Sequence, residues 1–365
     1  MPGHSHSSPD SARPTDGADR PSKVANRPAG GSNPPGAQPG WAARIADGAL
    51  EATVVGSFSR LGADLRPRLW PWLPLPSQQG RTIVVTGASS GIGKATALGL
   101  AQLGATLWLL GRDPARTAEV ARQALEAGAP RAEAVLVDMA DRAAVADVAA
   151  RLAQSCRAVD AVVHAAGALD ATYATTPEGT EHTVATAVLA PFQLTALLLP
   201  LLVASGRADL VIVSSGGMYS ERFDLDRLEM SPDEYRGATA YARAKRAQVV
   251  LASEWARRWR AYGVAGYSCH PGWVDTPGLR RGLPTFARLG SLLRTPEQGA
   301  DTVSWLASGA ARPLQHGFFF DRRRRNEHHL PWTRRPDDAA DGGALWEWCC
   351  HRVGPLPTPD VTHVT

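Results

Sequence analysis

The chain has 365 residues and 44% of them are hydrophobic, so it is long and apolar enough for one large α/β domain with appendages. A formal net charge of +4 is too mild a basic excess to predict a nucleic-acid partner. The four cysteines (Cys156, Cys269, Cys349 and Cys350) show neither metal-ligand spacing nor a secreted disulfide pattern. We therefore predict no metal site and a reducing, cytoplasmic location.

The N-terminal part divides into a tail and an extension. Residues 1–40 are rich in Pro, Gly and Ser and lack the apolar run of a secretory signal, so we expect a disordered tail. Residues 41–79 begin with large apolar side chains at three- and four-residue steps, which predict an amphipathic helix, and continue through a proline-broken, tryptophan-bearing link at 65–74. We favour docking of this extension on the core or at a subunit interface. Peripheral membrane contact through residues 41–75 is the alternative.

A glycine-rich loop follows the first predicted strand of the main domain. Residues 81–85 read as a buried strand, 94–103 as a helix and 105–110 as a second strand, with the loop 86–93 between the first strand and the helix. Glycines let such a loop bring backbone N–H groups close to a pyrophosphate, and the helix N-terminus adds partial positive charge. This order predicts dinucleotide binding by Gly87, Ser89, Ser90, Gly91, Ile92 and Gly93.

Strands and helices alternate over the next 200 residues. Strand candidates are 134–137, 161–164, 210–214 and 264–269, and helix candidates are 142–153, 180–202, 241–262 and 296–307. Alternation of this kind predicts a Rossmann-type, doubly wound parallel α/β sheet in a single domain spanning residues 80–320. The apolar run at 188–204 suits a buried helix better than a membrane-spanning one. Residues 321–365 are predicted to be a basic, solvated tail.

Tyr241 and Lys245 are the most informative pair of residues. Lysine occurs only at 23, 94 and 245 among 39 basic residues, so this ammonium stands where arginine is otherwise used. Four residues apart on a helix, the two side chains share one face. A nearby positive charge lowers the pKa of a phenol from its usual value of about 10, which would make Tyr241 a proton donor and acceptor near neutral pH.

Several motifs in order resemble the short-chain dehydrogenase/reductase family over residues 80–320. They are the loop 86–93, Asp138, Ala165-Ala166-Gly167, Ser214-Ser215, Tyr241 with Lys245, and residues 271–277. Residues 215–218, 270–273 and 275–278, with the N-terminal extension, are most similar to the branch that contains dehydrogenase/reductase member 12.

The resemblance implies a role for each matching residue. Tyr241 would be the general acid or base, Lys245 would lower the pKa of the phenol and bind ribose hydroxyls, and Ser215 would hydrogen-bond the substrate carbonyl. Further cofactor contacts are implied for Asp138, Met139, Ala165, Ala166, Gly167, Pro271, Val274 and Thr276. The implied reaction is hydride transfer between a nicotinamide and a carbonyl or secondary alcohol. The long helices 180–202 and 241–262 are where family members pair, so a homodimer or homotetramer is expected.

Cofactor choice follows from the end of the second strand. An NAD enzyme places a carboxylate there to accept bonds from the ribose 2′-hydroxyl, but this position aligns with Gly111. Arg112 follows and can pair with a 2′-phosphate, whereas Asp113 would reverse the preference only if it turned inward. We therefore predict NADP(H), with NAD less favoured.

Two departures from the family pattern leave an alternative open. Ala187 stands where the family has an asparagine that supports the lysine, and His164 replaces an amide that braces the sheet. His182 is a candidate to replace the asparagine; the alternative, and the commoner case, is a surface histidine. The alternative function is a catalytically weak dinucleotide-binding sensor or scaffold protein.

The substrate is predicted to be an apolar or bulky carbonyl compound or alcohol. Large apolar side chains fall in the segments that cover the site in this fold, although any lid also uses such residues to pack: Met218, Tyr219, Phe223, Trp273, Leu279, Leu283 and Phe286.

Overall fold

The computed structural model describes residues 41–70, 72–167, 169–314, 316–325 and 339–355, so the predicted disorder of residues 1–40 falls outside the described part. Eight strands form one sheet there: β1 (Thr82–Thr86), β2 (Thr106–Gly111), β3 (Ala132–Leu136), β4 (Ala161–His164), β5 (Ala208–Val213), β6 (Val264–Cys269), β7 (His316–Phe320) and β8 (Arg323–Arg324). Their order is β3-β2-β1-β4-β5-β6-β7-β8. All neighbours are parallel except β7 and β8, which are antiparallel.

Helices connect the strands and flank the sheet. They are α1 (Trp41–Ala52), α2 (Val54–Phe58), α3 (Arg60–Leu69), α4 (Gly91–Gln102), α5 (Pro114–Ala127), α6 (Arg142–Ser155), α7 (His182–Val184), α8 (Ala190–Ala204), α9 (Gly237–Trp259), α10 (Pro277–Gly282), α11 (Pro284–Ala287), α12 (Pro296–Ala307) and α13 (Ala339–Val353). A π-helical turn, Ala185–Leu189, joins α7 to α8.

The core lies in two layers, one on each face of the sheet. One apolar cluster draws on α6, α8, α9 and α13, and the other on α4, α5 and α12. The predicted doubly wound α/β architecture is confirmed. Because β1 pairs with β2 on one side and with β4 on the other, the chain reverses direction across the sheet beside β1, where ligands bind in such folds.

The long apolar segment is a core helix, as the sequence predicts. His182–Ala204 is long and apolar enough to cross a membrane, but 72% of its most apolar window is buried inside the domain.

The helix α5, in contrast, is absent from the predicted elements. Its signals are local: Asp113 caps the N-terminus, Pro114 occupies the first turn and Gly128 ends it at φ 118°.

The prediction of a broken link at 65–74 is partly wrong. Helix α3 continues through Pro67 to Leu69, because buried ion pairs from Arg66 to Asp47 and Asp321 hold its last turn. One lost backbone bond at the proline is offset by these contacts.

The prediction of a solvated C-terminal tail is also wrong for the described residues. Arg322 bonds Asp301 at 2.8 Å, and Arg323 pairs with Asp47. Helix α13 buries Leu345 and Trp346, whose ring meets Phe192 of α8 and Trp259 of α9 at centroid distances of 4.9 and 5.4 Å. The apolar side chains at helical spacing therefore pack α13 on the domain, although the composition of the segment is polar.

Candidate active site

A cleft of about 650 Å³ opens at the carboxyl ends of the central strands. The structure brings every residue that the sequence analysis assigned to cofactor or catalysis to this one cleft. The lining includes Gly87, Ser89, Ser90, Gly91, Ile92, Gly93, Arg112, Asp138, Met139, Ala165, Ala166, Gly167, Ser215, Tyr241, Lys245, Pro271, Val274 and Thr276.

The loop before α4 has the close backbone approach that a dinucleotide needs. Gly87 has φ 67°, and a Cβ there would lie 2.8 Å from the backbone of Ala166. A Cβ at Gly93 would overlap the Gly87 carbonyl oxygen. Ser90 makes no side-chain cap to α4, so the first amides of this helix are left for an anion. The residues present therefore fit a nicotinamide dinucleotide.

The end of β2 has no room for the carboxylate that would bind a ribose 2′-hydroxyl. A Cβ at Gly111 would overlap Thr117 Oγ1. Asp113 also lines the cleft, but its carboxylate is engaged with its own helix, where it accepts from the Arg116 backbone N–H at 2.9 Å and from Arg116 Nε at 2.7 Å. The backbone bond from Arg116 lowers the pKa of this carboxyl. Arg112 lines the cleft with its guanidinium 3.9 Å from the Asp138 carboxylate.

The phenol of Tyr241 lines the cleft and interacts with the Ser215 side chain. Burial raises the pKa of Tyr241, and the bond with Ser215 acts in the opposite direction. The predicted net lowering of this pKa is therefore wrong for the structure described here. Desolvation of the phenolate is the largest effect, and it sets the direction although the Lys245 ammonium lies 5.4 Å from the ring centre.

Lys245 is buried, at 4% exposure, and two oxygens hold its amine. Nζ donates to the Val213 carbonyl at 2.7 Å and to Gln248 Oε1 at 3.0 Å. Burial lowers the pKa of this lysine to about 8. The ammonium form still predominates at neutral pH, so a positive charge stands beside Tyr241.

One of the two departures from the family pattern, His164, has a local explanation. His164 is buried and shares a hydrogen bond of 2.7 Å with Thr195 Oγ1, so it braces β4 against α8. Burial lowers the pKa of His164 to about 3, which keeps the ring neutral. His182 lies outside the cleft lining and bonds Asp170 at 2.7 Å, so it does not replace the missing asparagine.

The predicted substrate wall is right in one half and wrong in the other. Trp273, Leu279, Leu283 and Phe286 line the cleft, and the Trp273 and Phe286 rings meet edge to face at 5.0 Å. Met218, Tyr219 and Phe223 do not line it. Met218 and Tyr219 pack with Val249 and Phe318 in a separate buried cluster, and Phe223 packs on the main core. These side chains therefore serve packing and not the wall of the cleft.

Two wall residues that the sequence analysis missed come from the extension. Val54 and Phe58 of α2 line the cleft. The Phe58 ring lies 4.3 Å from His270 and 6.1 Å from Trp273, and its carbonyl accepts from the Trp273 N–H at 2.8 Å. The helical spacing of apolar residues in the extension was the available signal, but it did not show which of them reach the site.

A buried ion cluster fixes this part of the extension on the domain. It consists of Asp47, Arg66, Arg294 and Asp321, which we call the arginine cluster. Arg294 bonds Asp321 at 2.6 Å and donates to the carbonyls of Ser57, Phe58 and Ser59 at 2.9–3.2 Å. Burial alone would raise the pKa of Asp321, but Arg294 and Arg66 hold it below the usual value. Charge pairing thus holds α2 beside the cleft.

Comparisons with known proteins add an independent result. A family model described as short chain dehydrogenase matches residues 81–283. The chain is 38% identical over 275 residues to dehydrogenase/reductase SDR family member 12 of Bos taurus, covering 73% of this chain and 84% of the relative. It is 36% identical over 277 residues to a Streptomyces sp. (strain C5) protein with the provisional name daunorubicin C-13 ketoreductase DnrU, covering 75% and 93%.

Solved structures agree with the fold. The crystal structure of 3-oxoacyl (acyl-carrier-protein) reductase from Agrobacterium tumefaciens C58, which has NADP bound, matches with a TM-score of 0.55 and 27% identity. The match covers 67% of this chain and 94% of that one.

Proposed function

The chain belongs to the short-chain dehydrogenase/reductase family, whose members are oxidoreductases, and from this premise we propose NADP(H)-dependent reduction of an apolar carbonyl compound or oxidation of the matching alcohol. The observation that carries the proposal is the contact of Tyr241 with Ser215 beside the Lys245 ammonium, inside a cleft whose glycine loop fits a dinucleotide.

The residues supply position and a proton, while the nicotinamide, when bound, gives or takes the hydride. Ser215 Oγ holds the substrate oxygen beside Tyr241. The Tyr241 hydroxyl then donates its proton to that oxygen in the reductive direction. A phenol whose pKa is raised by burial keeps its proton at neutral pH, so it is supplied as an acid. The positive charge of Lys245 stabilises the phenolate that remains. Reduction is therefore the favoured direction.

The preference for NADP(H) is supported by charge at the end of β2. Arg112 lines the cleft, Gly111 leaves no place for a carboxylate, and Asp113 is engaged with Arg116. A charge-assisted bond to a 2′-phosphate contributes about 1.5–3 kcal/mol, or roughly ten- to a hundredfold in affinity. We expect Arg112→Ala to weaken NADPH binding by that factor and to leave NADH binding nearly unchanged. Arg122→Ala, on an exposed turn of α5, is the control; equal losses for both cofactors would rule out the assignment.

An apolar substrate is supported by the wall of the cleft. Val54, Phe58, Trp273, Leu283 and Phe286 line its outer part. The name of the Streptomyces relative, a ketoreductase acting on daunorubicin, points to the same class of bulky ketone. Purified protein should oxidise NADPH when mixed with members of a panel of aromatic and polycyclic ketones.

Two variants test the assigned chemistry. Tyr241→Phe should abolish turnover while NADPH still binds, and Ser215→Ala should lower kcat by about a hundredfold or more. Wild-type protein that binds NADPH tightly but oxidises it with no member of the panel would favour the alternative of a dinucleotide sensor or scaffold. Full activity in Tyr241→Phe would contradict the mechanism itself.

We also propose peripheral membrane contact through the extension. Of nine exposed large hydrophobic side chains in the described residues, six lie between 41 and 73, including Trp41 at 77% and Ile45 at 64% exposure. The full chain should float with phosphatidylserine vesicles, and a Trp41→Ser/Ile45→Ser variant should not. Leu125→Ser, at an exposed apolar position on α5, is the matched control; equal flotation of all three would exclude this contact.

A cytoplasmic location stays a prediction, which cell fractionation would test.

The predicted homodimer or homotetramer also stays a prediction, with one constraint. Helix α13 covers parts of both α8 and α9, the helices expected to pair. We infer that pairing through this covered region requires α13 to move. Light scattering of the full chain at several concentrations would give the oligomeric state.

A further inference from the structure

Gln248 is a fully buried amide, one turn beyond Lys245 on α9, and its side chain lies between two elements of the site. Its Oε1 accepts from Lys245 Nζ at 3.0 Å. Its Nε2 donates to the Ala187 carbonyl at 2.7 Å. The side chain thus joins the lysine of the cleft to the π-helical turn between α7 and α8.

The Ala187 carbonyl needs a partner because of the sequence that follows it. In a regular helix this oxygen would accept from the N–H four residues later, but that residue is Pro191, which has no N–H. The π-helical turn Ala185–Leu189 lies at this point. A carbonyl in the buried core must be satisfied, and the Gln248 amide donates to it.

This arrangement fixes which way the amide faces. Rotating the Gln248 amide by half a turn would set its NH₂ against the Lys245 ammonium and its oxygen against the Ala187 carbonyl. Both contacts would be repulsive. The Ala187 bond therefore directs the acceptor oxygen toward the lysine amine.

We propose that Gln248 is a positioning residue, which holds the Lys245 amine beside Tyr241 and stabilises its positive charge. The catalytic part of this inference rests on the proposed function, but the effect on the lysine does not. A buried ammonium loses its hydration, and each oxygen that accepts from it offsets part of that loss. Val213 and Gln248 are the two protein oxygens in contact with this amine among the described residues.

The titratable groups around the Lys245 ammonium are uncharged at neutral pH, so its charge is stabilised by neutral hydrogen-bond acceptors. From β6, the Cys269 thiol faces the lysine, and burial raises its pKa to about 12, so it is uncharged at neutral pH. From α9 itself, the Tyr241 phenol is also uncharged. With no carboxylate among these groups, the polarity of Gln248 has a direct effect on the protonation of Lys245.

The scarcity of lysine makes the measurement direct. With only three lysines in the chain, carbon-13 labelling of the ε-carbons gives three NMR signals, and Lys245→Arg identifies the one from this site. Its titration midpoint should lie near 8 in the wild-type protein. In Gln248→Met the midpoint should fall by about one to two pH units, the loss of one charge-assisted hydrogen bond. In Gln248→Glu a carboxylate replaces the amide, and the midpoint should rise.

Gln193 is the matched control. It is a buried glutamine on α8 whose Nε2 bonds the Arg142 carbonyl, outside the cleft lining. Gln193→Met should leave the Lys245 midpoint unchanged. A Lys245 midpoint that stays at the wild-type value in both Gln248 variants would overturn the proposal. A general loosening of the fold would not shift the midpoint in opposite directions in Gln248→Met and Gln248→Glu, so it can be distinguished from the proposed effect.

Catalysis gives the second readout. With an active ketone from the panel, the pH profile of kcat should shift in the same direction as the lysine midpoint in each variant. If no ketone is reduced, the proposed function fails while the NMR titration still decides the role of Gln248. If ketones are reduced and the profile of Gln248→Met equals that of the wild type, the positioning role is refuted and the function stands.

Discussion

Replacing Asp321 by Asn tests how the extension is held beside the cleft. Asn keeps the size of the side chain and removes the negative charge that Arg66 and Arg294 share. Both guanidinium groups are 1% exposed, so neither can recover the lost partner from water. Asp47 remains to pair with Arg66, and Arg294 keeps only backbone carbonyls.

Removing one partner from a buried ion cluster costs about 3–5 kcal/mol, because a desolvated charge is left unpaired. For a domain of this size that loss lowers Tm by about 10 °C. The effect also has a pH dependence. The pKa of Asp321 is below its usual value in the folded state, so its contribution is present above the unfolded pKa of about 3.9 and is lost as the pH falls further. The difference in Tm between wild type and Asp321→Asn should therefore be largest at pH 7 and should decrease below about pH 3.9.

Thermal unfolding followed by circular dichroism at pH 7 and at about pH 3, below the unfolded pKa of the carboxyl, measures this. Glu119→Gln removes one charge from a solvent-exposed pair with Arg122 on α5 and should leave Tm unchanged, because exposed pairs are screened by water. If Asp321→Asn unfolds at the same temperature as Glu119→Gln, the arginine cluster does not hold the extension and the reasoning fails.

Three further predictions concern the wall, the loop and the C-terminal helix. Phe58→Ala should raise KM for an apolar ketone by about tenfold without changing the Kd of NADPH, since the ring belongs to the apolar wall of the cleft and not to the predicted cofactor contacts; a change in both constants would contradict this. Gly93→Ala should abolish NADPH binding in a fluorescence titration because its methyl group overlaps the loop backbone, whereas Gly99→Ala on the same helix has room and should bind normally. Leu345→Ala, at a fully buried position of α13, should cost about 2–5 kcal/mol in urea unfolding. Gly343→Ala in that helix meets nothing within 4 Å and should not destabilise; equal stability of these two variants would show that α13 is not part of the core.

The sheet and the cofactor loop could be predicted because their signals are local. A buried parallel strand is a short apolar run, and the loop before α4 needs glycine at fixed positions. The substrate wall could not be predicted in the same way. Phe58 is held beside the cleft by contacts distant in sequence, since the arginine cluster joins α2 and α3 to residues more than 200 positions away. Nothing local distinguishes Phe58 from Phe223, which packs in the core.

The contacts of Gln248 could be predicted only in part. Its nearness to Lys245 could be read from a three-residue step on one helix. Its bond to Ala187 depends on how α9 packs beside the π-helical turn, and the alanine at 187 gave no hint that Gln248 contacts its carbonyl. The pKa of Tyr241 was misjudged for a related reason, since a sequence shows the neighbouring charge and not the depth of burial.

Helix α13 has a consequence for shortened forms of the protein. A chain cut after Arg325 would keep every strand and the whole cleft, yet would expose the indole of Trp259 and the ring of Phe192 that α13 now covers. An apolar strip along α8 and α9 would then be exposed to water. We expect such a fragment to self-associate or precipitate while it keeps the residues of the cleft.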